Sequence, residues 1–153
     1  MIKRLVIMGF ILLVIGATTV YWLDNTTTTT LAETVSTDQE ENDFILHMRI
    51  ENTDEGFRIL HSLEYIGEEQ VTIEHRTPLI SISFNTDTSD FTGSPVSKTL
   101  ESGDIYRPHQ GALIEEPLEA GTHTVYMNCQ FRYKEEVINI KIEKDVLFQQ
   151  KKP

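Results

Sequence analysis

The sequence predicts an all-β fold: an antiparallel β-sandwich of about seven strands, preceded by one N-terminal transmembrane helix and a disordered linker. Three observations lead there. An uncharged apolar run opens the chain, period-two alternation of apolar and polar residues recurs from Phe44 to Ile142, and nothing after the opening run repeats with the period of a helix. The boundaries that follow are an anchor at 1–23, a linker at 24–42, the β domain at 43–149 and a short basic tail at 150–153.

The opening run, Leu5 to Leu23, reads LVIMGFILLVIGATTVYWL without a charge. As a helix rising about 1.5 Å per residue it covers roughly 28 Å, close to the ~30 Å hydrocarbon core of a bilayer. Leu5, Phe10 and Leu13 belong to its apolar body, and Tyr21 and Trp22 place amphipathic rings at the far interface. Lys3 and Arg4 precede it, whereas Asp24, Glu33, Asp38, Glu40 and Glu41 follow before the first base, Arg49. The positive-inside rule then puts the N-terminus in the cytoplasm and the domain outside a cell membrane crossed once. The alternative is a cleaved signal peptide and a secreted domain. Gly16-Ala17-Thr18-Thr19 offers the small residues of such a site, although apolar Val20 to Leu23 follow it. The next segment, DNTTTTTLAETVSTDQEE, is rich in Thr and acids with scattered apolar residues. It reads as a tether, because it buries too little to offset its ordering entropy.

The strands come next. Phe44, Leu46, Met48 and Ile50 share one face, with His47, Arg49 and Glu51 on the other; Asn52 to Gly56 turns the chain. A second strand near Phe57 to Ile66 alternates imperfectly, which suggests a bulge. Val71 to His75 forms a third, Pro78 interrupts, and Ile80, Ile82 and Phe84 resume in phase before a polar loop from Asn85 to Pro95. Val125, Met127, Cys129, Phe131 and Tyr133 then point one way and Tyr126, Asn128, Gln130 and Arg132 the other. Ile138, Ile140 and Ile142 repeat the pattern after Lys134-Glu135-Glu136, which makes a hairpin with one buried face. The lone Cys129 forms no intramolecular disulfide and reads as buried and inert.

Two segments carry a family resemblance: Leu100-Glu101-Ser102-Gly103-Asp104-Ile105-Tyr106, and Leu118-Glu119-Ala120-Gly121-Thr122-His123-Thr124-Val125 leading into a long strand. Together they resemble the immunoglobulin-like domain of the Bacillus intracellular proteinase inhibitor group, over roughly Phe44 to Phe148. The resemblance implies an Ig-like sandwich without catalysis and carries no inhibitory loop onto named residues. His123 stands where an aromatic residue is usual.

Composition narrows the partners. The net charge is −11, and all 24 acids but only the 13 bases less Lys3 and Arg4 lie beyond the anchor. So acidic a surface repels phosphate backbones, which excludes nucleic acid as a partner. His47, His61, His75, His109 and His123 show no tight ligand spacing and read as solvent-facing or hydrogen-bonded structural residues. Asn85 to Asp90 begins like a calcium loop, with Asp87 and Asp90 as candidate ligands. Asp90 stands where that loop needs Gly and Val96 where it needs Glu, so an Asx-rich turn is favoured. Glu68-Glu69, Glu115-Glu116 and Glu135-Glu136 fall at turns, where adjacent side chains diverge. No constellation for catalysis or a cofactor emerges.

The expected function is therefore a non-catalytic, membrane-tethered, extracytoplasmic module that binds a protein partner; a proteinase-inhibitor domain is the alternative. The polar segment from Arg107 to Glu119, with Arg107, His109, Gln110, Glu115 and Glu116, is the candidate recognition loop.

Overall fold

The computed structural model describes residues 16, 29–54, 56–108 and 112–151. Leu5, Phe10, Leu13, Tyr21 and Trp22 of the expected anchor, and residues 24–28 of the expected linker, lie outside them. Among the described residues no helix is long and apolar enough to cross a membrane. The strands are β1 (Thr29–Leu31), β2 (Val35–Glu41), β3 (Phe44–Asn52), β4 (Phe57–Tyr65), β5 (Val71–Arg76), β6 (Ile80–Phe84), β7 (Pro95–Leu100), β8 (Ile105–Tyr106), β9 (Ala112–Glu115), β10 (Gly121–Tyr133) and β11 (Glu136–Gln150). They build two antiparallel sheets. One runs β1-β11-β10-β5-β7 with β6 also paired to β10; the other runs β2-β3-β4-β8 with β9 also paired to β4.

Alternation decides which side chains meet. Phe44, Leu46, Met48 and Ile50 of β3 and the odd residues of β10 from Val125 to Tyr133 are buried, and the two sets share one core. Phe44 of β3 packs on Tyr65 at 5.0 Å and reaches across to Phe131 at 4.7 Å and Tyr133 at 5.3 Å. Phe57 of β4 meets Phe148 at 5.0 Å and Phe84 at 5.7 Å. Such tilted and edge-on pairs add to the area that each ring buries. Cys129 is in this core, 1% exposed, and burial pushes its thiol pKa up.

Several expectations are corrected. Residues 29–31 and 35–41 are not disordered linker. β1 pairs with β11, and β2 pairs with β3 along its whole length, from Val35↔Ile50 to Glu41↔Phe44. Leu31 is a core residue at 2% exposure, and Asn52 clamps it, with Oδ1 accepting from Leu31 N and Nδ2 donating to Leu31 O, each at 2.9 Å. β4 has no bulge against β3, because their register runs unbroken from Phe44↔Tyr65 to Asn52↔Phe57. Its alternation looked irregular in the sequence because apolar Leu60 falls on the outer face, opposite Arg49, and polar His61 on the inner one, opposite Met48. The expected basic tail begins inside β11, which continues to Gln150.

The actual register shift falls between β5 and β6. From Arg132↔Glu74 to Cys129↔Ile80 β10 advances three residues while its partner advances six, so the chain bulges around Thr77-Pro78 before Leu79, whose carbonyl accepts from Gln130 N, rejoins the core. Asn85 to Ser94 then folds back over the outer face of this sheet, where Thr88 N and Asp90 N donate to Ser83 Oγ and Ser81 Oγ at 3.3 and 3.4 Å. The turn Glu101 to Asp104 passes the chain from one sheet to the other. Gly103 sits at φ 84° there, and its N–H donates to Tyr65 O.

Candidate functional site

The residues singled out in the sequence separate in space. Asp87 accepts from Lys141 Nζ at 2.7 Å and from Asn128 Nδ2 at 2.9 Å, and these two donors hold its carboxyl below the usual carboxylate range. Both its oxygens are thus occupied, and a calcium ion would have to displace a lysine. Asp90 Oδ1 accepts from Thr92 N at 3.0 Å and Thr92 Oγ1 at 2.6 Å, the local turn that short polar side chains favour. His75 is buried, donating through Nδ1 to Arg76 O at 2.9 Å and accepting at Nε2 from Tyr106 Oη at 3.1 Å. His123 accepts at Nδ1 from Asn85 and donates from Nε2 to Glu119 O, each at 2.9 Å. These two histidines hold structure together.

The candidate recognition loop is also redrawn. Ala112 to Glu115 is strand β9, paired with β4 from Leu60↔Ala112 to Phe57↔Glu115. β8 pairs with the same edge of β4 at Leu63↔Tyr106 and Glu64↔Ile105, so β8 and β9 are two halves of one interrupted edge strand. The interruption lies opposite His61 and Ser62, and Arg107 leaves the sheet there, exposed. Glu115 and Glu116 are exposed at the far end of β9; His109 and Gln110 lie outside the described residues.

Arg107 opens onto a shallow depression of about 410 Å³ on the outer face of the five-stranded sheet. Cross-strand register builds its floor. Asp38, His47 and Ser62 form one row across β2, β3 and β4, and Ser36, Arg49 and Leu60 form the next. His47 is the centre of the first row. Its Nδ1 lies 2.7 Å from Asp38 Oδ1 and its Nε2 2.7 Å from Glu64 Oε2. Partial burial pulls the imidazole pKa down, but the hydrogen bonds to Asp38 and Glu64 outweigh it and raise the pKa above its ordinary 6.5.

Arg49 donates through Nε to Glu51 at 2.8 Å, and Glu51 also accepts from Arg58 Nε at 2.6 Å. Arg58 and Arg49 together hold the Glu51 carboxyl below its usual range. Among the described residues Arg107 makes no ion pair or hydrogen bond, and Arg49 bonds through Nε alone. In a chain of net charge −11, two arginines thus face this depression with donors to spare.

Only half of this site was visible in the sequence. The outward His47, Arg49 and Glu51 follow from the alternation of β3. Ser36 and Asp38 do not, because a mostly exposed edge strand carries the composition of a linker.

A second depression, about 270 Å³, opens at the β5–β6 register shift between Glu74, Arg76, Pro95, Gln130, Arg132 and Val137. No model of a known protein family matches the chain, and none of the curated proteins does.

Proposed function

We propose that this chain is a non-catalytic protein-binding module. In this reading a single N-terminal helix tethers it to the cell membrane, with the N-terminus cytoplasmic and an immunoglobulin-like sandwich outside. Its recognition surface is the outer face of the five-stranded sheet around Arg107. The supporting observation is the pair of guanidinium groups, Arg107 and the terminal nitrogens of Arg49, that line one depression with donors unused among the described residues. A guanidinium presents its donors as a planar fork suited to a carboxylate, and arginine is enriched among residues that dominate interfaces. The depression is shallow and open, with Leu60 the apolar side chain on its outer-face floor. Small-molecule sites enclose their ligand, so this shape suits a protein surface better.

The test is capture from the cell of origin with full-length protein, comparing the wild type, Arg49→Ala with Arg107→Ala, and Arg132→Ala on the other sheet. A partner held by the wild type and by Arg132→Ala, but bound about tenfold or more weakly by the double variant, is the expected result, since truncating an interface arginine costs upwards of about 1.4 kcal/mol. Equal retention by all three removes this face from the reading. Tight stoichiometric inhibition of a subtilisin-like protease would instead favour the inhibitor alternative.

A further inference from the structure

We propose that His47 is a proton-operated clip: its imidazolium fastens the edge strand β2 to the middle of its sheet, and loss of one proton releases that strand's outer half.

Both ring nitrogens of His47 lie 2.7 Å from a carboxylate oxygen, Nδ1 from Asp38 on β2 and Nε2 from Glu64 on β4. A carboxylate only accepts, and a neutral imidazole carries a single N–H, so both contacts are hydrogen bonds only in the imidazolium. Deprotonation sets a nitrogen lone pair against a carboxylate oxygen, and one arm must open.

The weaker arm is the one to β2. The Asp38 side chain is 64% exposed against 27% for Glu64, and β2 has a strand partner on one side only. From Asp38 to Glu41 every residue of β2 is exposed, whereas Val35 packs against the core and holds the other half in place. No apolar contact therefore substitutes for the clip at this end, and the strand frays from there.

The charges around the ring favour the closed state. Asp38 and Glu40 approach from β2 and Glu64 from β4. Against them stand Arg49 on the histidine's own strand, which is drawn to Glu51 together with Arg58, and Arg107 beyond β8. The acids bond the ring directly and the arginines do not, which is why its pKa is raised from 6.5. A group whose folded-state pKa is raised lends its full stability below the unfolded value and loses it as pH climbs through the folded value. The clip is therefore closed at mildly acidic pH and opens as pH rises past a point above 6.5. Asp38 also forms one wall of the depression beside Arg107, so opening the clip reshapes that surface. The consequence for partner binding rests on the recognition reading given above; the clip itself does not.

The experiment follows the His47 ring by NMR in full-length protein held in lipid nanodiscs, alongside amide exchange corrected for its intrinsic rate at each pH. The ring is expected to titrate above 6.5. Across that titration, protection of the β2 amides falls about two- to fivefold, the equilibrium ratio an exposed ion pair commands, while β10 and β11 stay protected. His47→Gln, with no second proton to gain, shows the lower protection at every pH, and Asp38→Asn lowers the His47 pKa. A ring that titrates at or below 6.5, or β2 protection unchanged across the titration, overturns the proposal. If the clip titrates as described while partner capture ignores Arg49 and Arg107, the recognition reading falls and the clip stands. The opposite pair of outcomes removes the clip alone.

Discussion

Lys134 and Glu135 turn the chain between β10 and β11 with φ of 47° and 69°. Two consecutive residues in the left-handed region make the turn whose twist matches the flanking strands, and glycine and asparagine usually occupy it because a Cβ is strained there. The chain keeps Lys134, whose ammonium lies 4.9 Å from the centre of the Tyr133 ring. Glu135 is exposed and makes no comparable contact, so its strain is uncompensated. Glu135→Gly relieves roughly 1 kcal/mol of strain and adds somewhat less in unfolded-state entropy. The expected result is a stabilisation of about 0.5 kcal/mol, read as a higher denaturation midpoint at unchanged slope. A lower midpoint would mean that the turn is not held as described. Lys-Glu-Glu marked this turn in the sequence by its charge. Its handedness was hidden, since neither residue advertises a positive φ.

At the scale of elements, legibility tracks burial. β3 from Phe44 to Ile50, β10 from Val125 to Tyr133 and β11 from Ile138 to Ile142 set an apolar side chain at every second position against the core, and these stretches were read from alternation; β11 continues to Gln150, past exposed Lys144, where the alternation breaks. β2, β7 and β9 lie at sheet edges; β2 and β7 bury little, so their sequences resemble loops. β1 is the informative failure. Leu31 is its one fully buried residue, set among Thr and acids, and a single apolar position carries no period. Leu31→Ala should cost about 2–4 kcal/mol, the usual penalty for emptying a fully buried leucine site. A chain beginning at Asn42 should lose more still, because it also uncovers the length of β3 that β2 pairs. Unfolding in urea measures both. Wild-type stability in either variant would show that residues 29–41 contribute nothing to the core.

For the whole molecule, charge and the opening apolar run carry the expectations. A pI near 4.8 and the excess of acids beyond Asp24 suit a domain kept soluble at an exposed surface. The anchor reading makes a direct prediction. Full-length protein should stay with membranes through an alkaline carbonate wash, and protease added to intact cells should reach the β domain. A mature protein beginning near Thr18 would establish the cleaved signal instead. If the anchor reading holds, the domain meets the pH of its surroundings without a cytoplasmic buffer, and a titrating His47 would sense that medium directly.

The sequence alone determined which faces of β3, β10 and β11 turn inward, because side-chain alternation is local and survives without knowledge of neighbours. It also placed Cys129 in the core and set the acidity that bears on partners. Only tertiary structure decided that residues 29–31 and 35–41 are strands and that β8 and β9 share one edge of β4. It alone brought Asp38 and Glu64, 9 and 17 residues away in sequence, to opposite nitrogens of His47. The physical reason is register: which residues stand opposite each other across a sheet depends on how every strand slides against its partner. That slide is fixed by the whole core rather than by any one segment.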